Sequence, residues 1–450
     1  MLLIASCAFY MAFIPYYIVI LAFTIFIDFL AGIVIEKKEG KAKRTFLIIS
    51  ILSNVGILFV FKYFNFFNAS LAELAQFLHW NYSIQSLSLA LPIGLSFHTF
   101  QSMSYIFEVY KGKQKAEHHF GIYALYVMFY PQLVAGPIER PQNLLPQFYM
   151  KHDFDYKRVT DGLKLMLWGM FKKVVIADNL AVIVNAVYDK PGSYTGLPLI
   201  IATYFFAFQI FCDFSGYTDI ARGAAQVMGF SLMENFKRPY FSKSISEFWK
   251  RWHISLSSWF KDYVYIPLGG SRVGKWRHIY NLMIIFLLSG LWHGANWTYV
   301  IWGALNGAYL VFSIRTANMR QKVSKLLRLD RVPLLHKFIK VFITFNLVAF
   351  SWIFFRAKTI SDAFYIIRHL FDGIKLNLSF GAGIGRTEII GGMLLILFLE
   401  VIHIIQRKNS MVEILSERPV YLRWAIYYIA VLCILFLGQT SAHEFIYFQF

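Results

Sequence analysis

A histidine stands among glycines and tryptophans in Ser289-Gly290-Leu291-Trp292-His293-Gly294-Ala295-Asn296-Trp297, with apolar runs on either side at Leu282–Leu288 and Thr298–Leu310. Carrying an imidazole to that depth in a bilayer is costly, so an ionisable residue there is read as functional. The bland alternative is a histidine that hydrogen-bonds a neighbouring helix. A neutral imidazole can take the proton of a hydroxyl as that hydroxyl attacks, and histidine titrates close enough to neutrality to stay an acceptor. Gly290 and Gly294 leave room for close approach of a substrate to the backbone. Trp292 and Trp297 are placed to wall a tunnel. Asn296, three residues on, would share a helical face with His293 and orient the imidazole or a carbonyl.

A second concentration of chemistry lies in Ser246–Tyr263, where aromatics alternate with charges. Read as one helix, Trp249, Trp252, Leu256 and Trp259 form an apolar stripe, and His253 neighbours Trp249, Lys250, Leu256 and Ser257. An interfacial helix with tryptophans at headgroup level and Lys250, Arg251 and Lys261 reaching outward accounts for the stripe. It leaves His253 and Glu247 without a purpose. The expectation is therefore a tilted or re-entrant helix lying against the protein, with His253 facing His293 across one chamber.

The elements that must position these residues follow from composition. Of 450 residues 58% are hydrophobic and only 15% charged, and the mean hydropathy is +0.52. A soluble domain is nearer a quarter charged, so the chain reads as a polytopic membrane protein. Apolar stretches occur near Phe13–Ile35, Phe46–Phe67, Leu87–Val109, Leu163–Val187, Pro198–Phe214, His278–Leu291, Asn296–Phe312, Phe338–Phe355, Ile389–Ile405 and Trp424–Leu437. About ten to eleven spans of roughly 20 residues each are expected. They must be helices, because the runs are too long and uniform for an alternating barrel pattern. The fold class is thus all-α, one polytopic domain over residues 1–450. Three polar interruptions, Pro131–Pro141, Asp213–Arg222 and Asn235–Arg272, point to a central cavity, since irregular backbone at membrane depth must line one or be buried.

Lys37, Lys38, Lys41, Lys43 and Arg44 follow the first long span, Asn68–Ser86 has no Lys or Arg, and Lys111, Lys113 and Lys115 follow Val109. This alternation places the basic loops in the cytoplasm and Asn68–Ser86 outside. The net charge of +19 is then met by anionic membrane lipids and requires no nucleic acid. Cys7, Cys212 and Cys433 show no pairing or metal-binding spacing and read as buried small residues. Leu2–Ile20 lacks the basic start of a cleavable signal. Asp213 and Asp219 are expected to pair with Arg222 or Arg238 rather than to form a carboxylate dyad. No nucleophile elbow, His-Glu-x-x-His zinc site or phosphate loop is present, and no metal is expected.

Taken together, Asp213–Arg222, Glu247–Tyr263, Ile266-Pro267-Leu268-Gly269-Gly270 and Ser289–Trp297 resemble the central motifs of the membrane-bound O-acyltransferase (MBOAT) family. The likeness is to its bacterial branch of alginate O-acetylation and teichoic-acid D-alanylation proteins. Leu91–Gly112, Pro131–Pro141 and Phe445–Phe450 are similar to the same branch. The resemblance implies a catalytic core at about 131–303, in which His293 is catalytic and His253 is the second polar residue of the site. For His253 three roles stay open: holding the tautomer of His293, binding the acceptor, or stabilising an oxyanion. Trp292, Asn296, Trp249 and Ser257 are the candidate substrate contacts. Further implications are an acyl group, acetyl, taken from the thioester acetyl-CoA, a location in the bacterial inner membrane, and a periplasmic or membrane-anchored partner transferase of the serine-esterase type. His98 departs from the branch, which has an aromatic there, and reads as packing or a local hydrogen bond. The rival readings are a transporter or flippase for a lipid-linked sugar and a scaffold of an envelope polysaccharide complex; neither uses His253 and His293 as a base.

Overall fold

A computed structural model describes residues 1–374, 385–407, 411–439 and 445–446. Among the described residues every regular element is helical. The longest, Leu197–Val227, is buried along most of its length and runs antiparallel to Tyr156–Met170. Glycines set this contact. A Cβ on Gly169 would meet the Gly216 carbonyl oxygen at 2.6 Å, and one on Gly216 the Gly169 oxygen at 2.7 Å. Gly162 and Gly223 repeat the arrangement one heptad along, so two reciprocal pairs let the backbones touch, as small residues do between membrane helices.

Asp178–Tyr188 and Pro333–Arg356 pack beside this pair in one aromatic-rich core that includes Phe206, Trp252, Trp302 and Trp352. A second core gathers Ile18–Lys37, Leu95–Tyr110 and Phe120–Met128. A third, with Phe97, Phe100, Val134, Phe214, Leu256, Trp259, Trp292 and Phe445, draws on both halves of the chain. His253 lies against this third core, and His293 between it and the first.

Among the described residues, six helices are long and apolar enough to cross a membrane by length and composition: Pro15–Lys37, Gly40–Phe77, Leu197–Val227, Pro333–Arg356, Arg386–Ile405 and Val420–Leu437. Fewer helices meet that criterion than the apolar stretches suggested. Leu163–Val187 lies in Tyr156–Met170, a π-helical turn and Asp178–Tyr188, where Lys172, Lys173 and Asp178 interrupt the apolar sequence. Leu95–Tyr110 is only 16 residues, and Lys275–His293 begins on a basic polar turn.

Two local expectations are corrected. Asn68–Ser86 is not wholly loop, because Phe64–Phe77 prolongs the preceding helix. Glu247–Tyr263 is not one continuous helix: it breaks into Ile245–Trp249 and Ile254–Phe260, with His253 between them at φ 44°, ψ 57°. Its Trp252 and Trp259 are buried in protein rather than set at headgroup level. Of the closing motif, Tyr447–Phe450 lies outside the described residues.

Candidate active site

His293 is the last residue of helix Lys275–His293. The following helix, Trp297–Arg315, folds back along it, and the two cross where Gly290 faces the Tyr299 carbonyl and Gly303 faces the Phe286 carbonyl. The space over Gly294 is filled by the Tyr299 ring. These glycines therefore admit a neighbouring helix and a tyrosine, which corrects the expectation that they clear room for substrate. The chain leaves the helix at Gly294 in extended conformation, φ −163°. Asn296 consequently shares no helical face with His293. Its Oδ1 accepts from the Thr298 N–H at 3.0 Å, capping the second helix, and its Nδ2 donates to the Lys358 carbonyl at 3.2 Å.

This turn leaves the His293 imidazole 3% exposed, among the rings of Trp292, Trp302 and Phe355 at centroid distances of 4.9, 5.0 and 5.3 Å. His253 reaches the same region from the opposite arm. Ser244 caps Ile245–Trp249 by accepting from the Glu247 N–H, and Glu247 binds Arg251 at 2.6 Å. Beyond the break, Asn235 accepts from the N–H groups of Ile254 and Ser255, each at 3.0 Å. Held between these caps, His253 is 1% exposed and lies 4.7 Å from the Phe214 ring, 6.3 Å from Phe97 and 6.1 Å from Trp292. Trp292 thus touches both imidazoles.

Of the other candidate contacts, Trp249 is half-buried against Phe286 and Trp302, at 5.4 and 5.8 Å, on the His293 side. Ser257 donates its hydroxyl to the Trp252 carbonyl at 3.2 Å. Trp297 does not wall the chamber; it is 49% exposed, with its indole N–H donated to Ser70. His98 is buried with Gln101 and Gln132 at a separate small cavity, and its Nδ1 has no hydrogen-bond partner among the described residues. Cys212 is buried, Cys7 and Cys433 half-buried, and all three are free thiols.

A pocket of about 510 Å³ opens onto His293, lined by Lys62, Leu91–Phe97, Val134 and Trp292. His253 is not among its lining residues, although its ring contacts the same Trp292. Lys62 was absent from the sequence-based candidates, although a lysine inside the apolar run Phe59–Phe67 falls under the same rule that singled out His293. The carboxylates pair with basic residues as expected, Asp219 with Arg222 among them, while Lys172 and Lys173 are further partners and, among the described residues, Arg238 is not one. Asp213 binds Lys173 at 2.7 Å, and Asp219 binds Lys172 at 2.7 Å and Arg222 at 3.5 Å. Lys173 also holds Asp178 at 2.8 Å. Arg238 instead donates to the carbonyls of His403 and Arg407.

An all-helical, multi-pass membrane protein with two histidines buried around a shared tryptophan is the class that this architecture defines. The chain belongs to the membrane-bound O-acyltransferase family, whose sequence model matches residues 114–355. It is similar to a probable alginate O-acetylase of Pseudomonas aeruginosa, 39% identical over 336 residues that cover 74% of this chain and 61% of that protein. It is also similar to a peptidoglycan O-acetyltransferase of Helicobacter pylori, 35% identical over 405 residues, 83% of this chain and 74% of that one. A probable alginate O-acetylase of Pseudomonas putida is 36% identical over 434 residues, 91% and 85% of the two chains.

Proposed function

We propose that the protein carries an acetyl group from acetyl-CoA on the cytoplasmic side to a hydroxyl on the far side of the bacterial inner membrane. The final glycan acceptor is served by a partner transferase of the serine-esterase type. The observation that carries the reading is Trp292, lying between two buried imidazoles of which only His293 faces the pocket.

Orientation supports the division of labour. Lys62 lies about 33 Å along its helix from Gly40, at about 1.5 Å per residue, so the pocket is a bilayer core away from the basic loop Lys37–Arg44. Helix Lys275–His293 likewise starts on Lys275 and Arg277 and ends at the pocket. By contrast, the arm bearing His253 ends near Asp262, which holds Arg140 at 3.0 Å and lies beside Lys111. His253 then faces the donor side and His293 the acceptor side.

In the transfer, the acceptor O–H donates to neutral His293, and its oxygen attacks the thioester carbonyl. A tetrahedral oxyanion forms and collapses as the C–S bond breaks. The proton held on His293 passes to the departing thiolate, leaving an ester and a free thiol. Peptidoglycan and alginate, the glycans of the H. pylori and Pseudomonas relatives, are the acceptor classes to test first. The decisive experiment is His293→Ala in membrane vesicles given radiolabelled acetyl-CoA, with detergent melting measured alongside. Loss of a general base costs about 10²–10⁴-fold. A variant that melts like the wild type and keeps more than half its transfer rate defeats the assignment.

A further inference from the structure

The helix that carries His293 ends where the chain turns away at Gly294, and the carbonyls of Leu291, Trp292 and His293 in its last turn look beyond the helix for donors. All three are met from one place. Lys62 Nζ donates to the Trp292 carbonyl at 2.7 Å and to that of His293 at 3.3 Å, and the Tyr63 hydroxyl donates to that of Leu291 at 3.1 Å. The Ser96 hydroxyl lies 3.5 Å from the same ammonium. Lys62 and Tyr63 sit on a π-helical turn, Phe59–Tyr63, set between Gly40–Leu58 and Phe64–Phe77. Such single wide turns are costly and concentrate at functional sites. Here the turn presents two adjacent donors to one helix end, and the cation meets the negative end of that helix's dipole.

The capped residues are those of the site. Lys62 lies 5.9 Å from the Trp292 ring, which itself contacts both imidazoles, and it lines the pocket that opens onto His293. Nothing in the family match reaches this residue, since the matched region begins at residue 114. We propose that Lys62, seconded by Tyr63, is a positioning residue for acyl transfer. Its ammonium fixes the last turn of the His293 helix and thereby sets where the imidazole meets the acceptor hydroxyl. The inference rests on His293 being the base. Without the ammonium, two inward carbonyls lose their donor, the terminal turn unwinds or rotates, and the imidazole shifts with it. A shift of about 1 Å costs about 10²-fold in rate. The donor approaches from the His253 side, so its apparent KM should stay within about twofold while kcat falls.

The test uses the full chain in vesicles with acetyl-CoA as the probe, and with Cys7, Cys212 and Cys433 replaced by alanine. Lys62→Met and Lys62→Cys are expected to lose about 10²-fold in kcat with little change in KM. Treating Lys62→Cys with bromoethylamine rebuilds an ammonium at nearly the same reach, and most of the lost kcat should return. A purely structural side chain would show no such charge-specific rescue. Should Lys62→Met fail to melt cooperatively, Tyr63→Phe, which deletes a single hydroxyl, is scored instead; a severalfold lower kcat at unchanged KM is expected. Wild-type kcat in Lys62→Met, or in Tyr63→Phe where that variant is scored, while His293→Ala is inactive, overturns the positioning role and leaves the base assignment standing. An inactive, well-folded Lys62→Cys that aminoethylation does not revive also overturns it. An active His293→Ala would instead remove the reading beneath both.

Discussion

Replacing Gly290 by alanine should slow transfer about a hundredfold while the protein remains folded. A Cβ at this position falls well inside contact of the Tyr299 carbonyl oxygen and 3.3 Å from the Gly303 Cα. Both are backbone atoms, so neither can swing aside. Atoms of this size settle roughly 3.5 Å apart, so the two helices must part by about 1 Å at this level. His293 lies one turn beyond Gly290 in the same helix, and the displacement passes to the imidazole. Overpacking of this kind costs about 1–3 kcal/mol, enough to lower the melting temperature without unfolding a helical bundle of this size. Gly307→Ala is the control on the same helix pair. Its added methyl meets the Met283 Sδ at 2.9 Å and the Phe286 Cβ at 3.3 Å, and a thioether side chain can repack. Rates are measured in vesicles with labelled acetyl-CoA, and melting in detergent. A Gly290→Ala protein that transfers at more than half the wild-type rate, or one that outperforms Gly307→Ala, would refute the reasoning.

His253 occupies a left-handed backbone conformation, which costs most residues about 1–2 kcal/mol but which asparagine adopts more readily. His253→Asn should therefore melt like the wild type and still lose transfer, whereas His253→Ala loses both; wild-type activity in His253→Asn would take the imidazole out of the chemistry. Asp213→Asn removes one partner of a buried ion pair, a change worth about 3–5 kcal/mol, and an unchanged melting temperature would show that the pair contributes nothing. Cysteines placed at Ala42 and Gln114 should react only with reagent admitted to the cytoplasmic side, and one at Ser83 only from outside; Ala42→Cys and Ser83→Cys labelling from the same side would reverse the orientation.

The class of the protein and its two histidines are legible because their signals are local: an imidazole inside an apolar run is conspicuous wherever the run folds. Lys62 obeys the same rule, but nothing near it in the chain marks its task, since the carbonyl it serves lies 230 residues further along the chain. The break at His253 was hidden for the opposite reason. Tryptophans recurring at three and four residues favour a continuous helix, and what interrupts it is Asn235, 20 residues upstream, binding the N–H of Ser255. The same blindness covers Gly290 and Gly294. Their small size is visible in the sequence, but whether a substrate or a neighbouring helix fills the space depends on Tyr299, which only the folded hairpin brings there.

The buried charges and the chamber turn out to be one construction. Asp213 and Phe214 are adjacent on Leu197–Val227 and point about 100° apart, as successive helical residues must. Locking Asp213 therefore sets the rotation at which Phe214 presents its ring to His253. Lys173 holds one carboxylate oxygen of Asp213, and the other accepts the Ile446 N–H at 2.9 Å. That second bond lays Phe445 on the rings of Tyr217 and Phe214, at 4.9 and 5.9 Å. The reciprocal glycines close the same helix against the segment that supplies Lys172 and Lys173. A site built from aromatic rings has few directional bonds of its own. Its geometry is imposed instead by ion pairs one helical position away, and these are strong because the surrounding medium is apolar. Changes that leave every chamber residue intact but weaken those pairs should thus be felt at His253 before they unfold the chain.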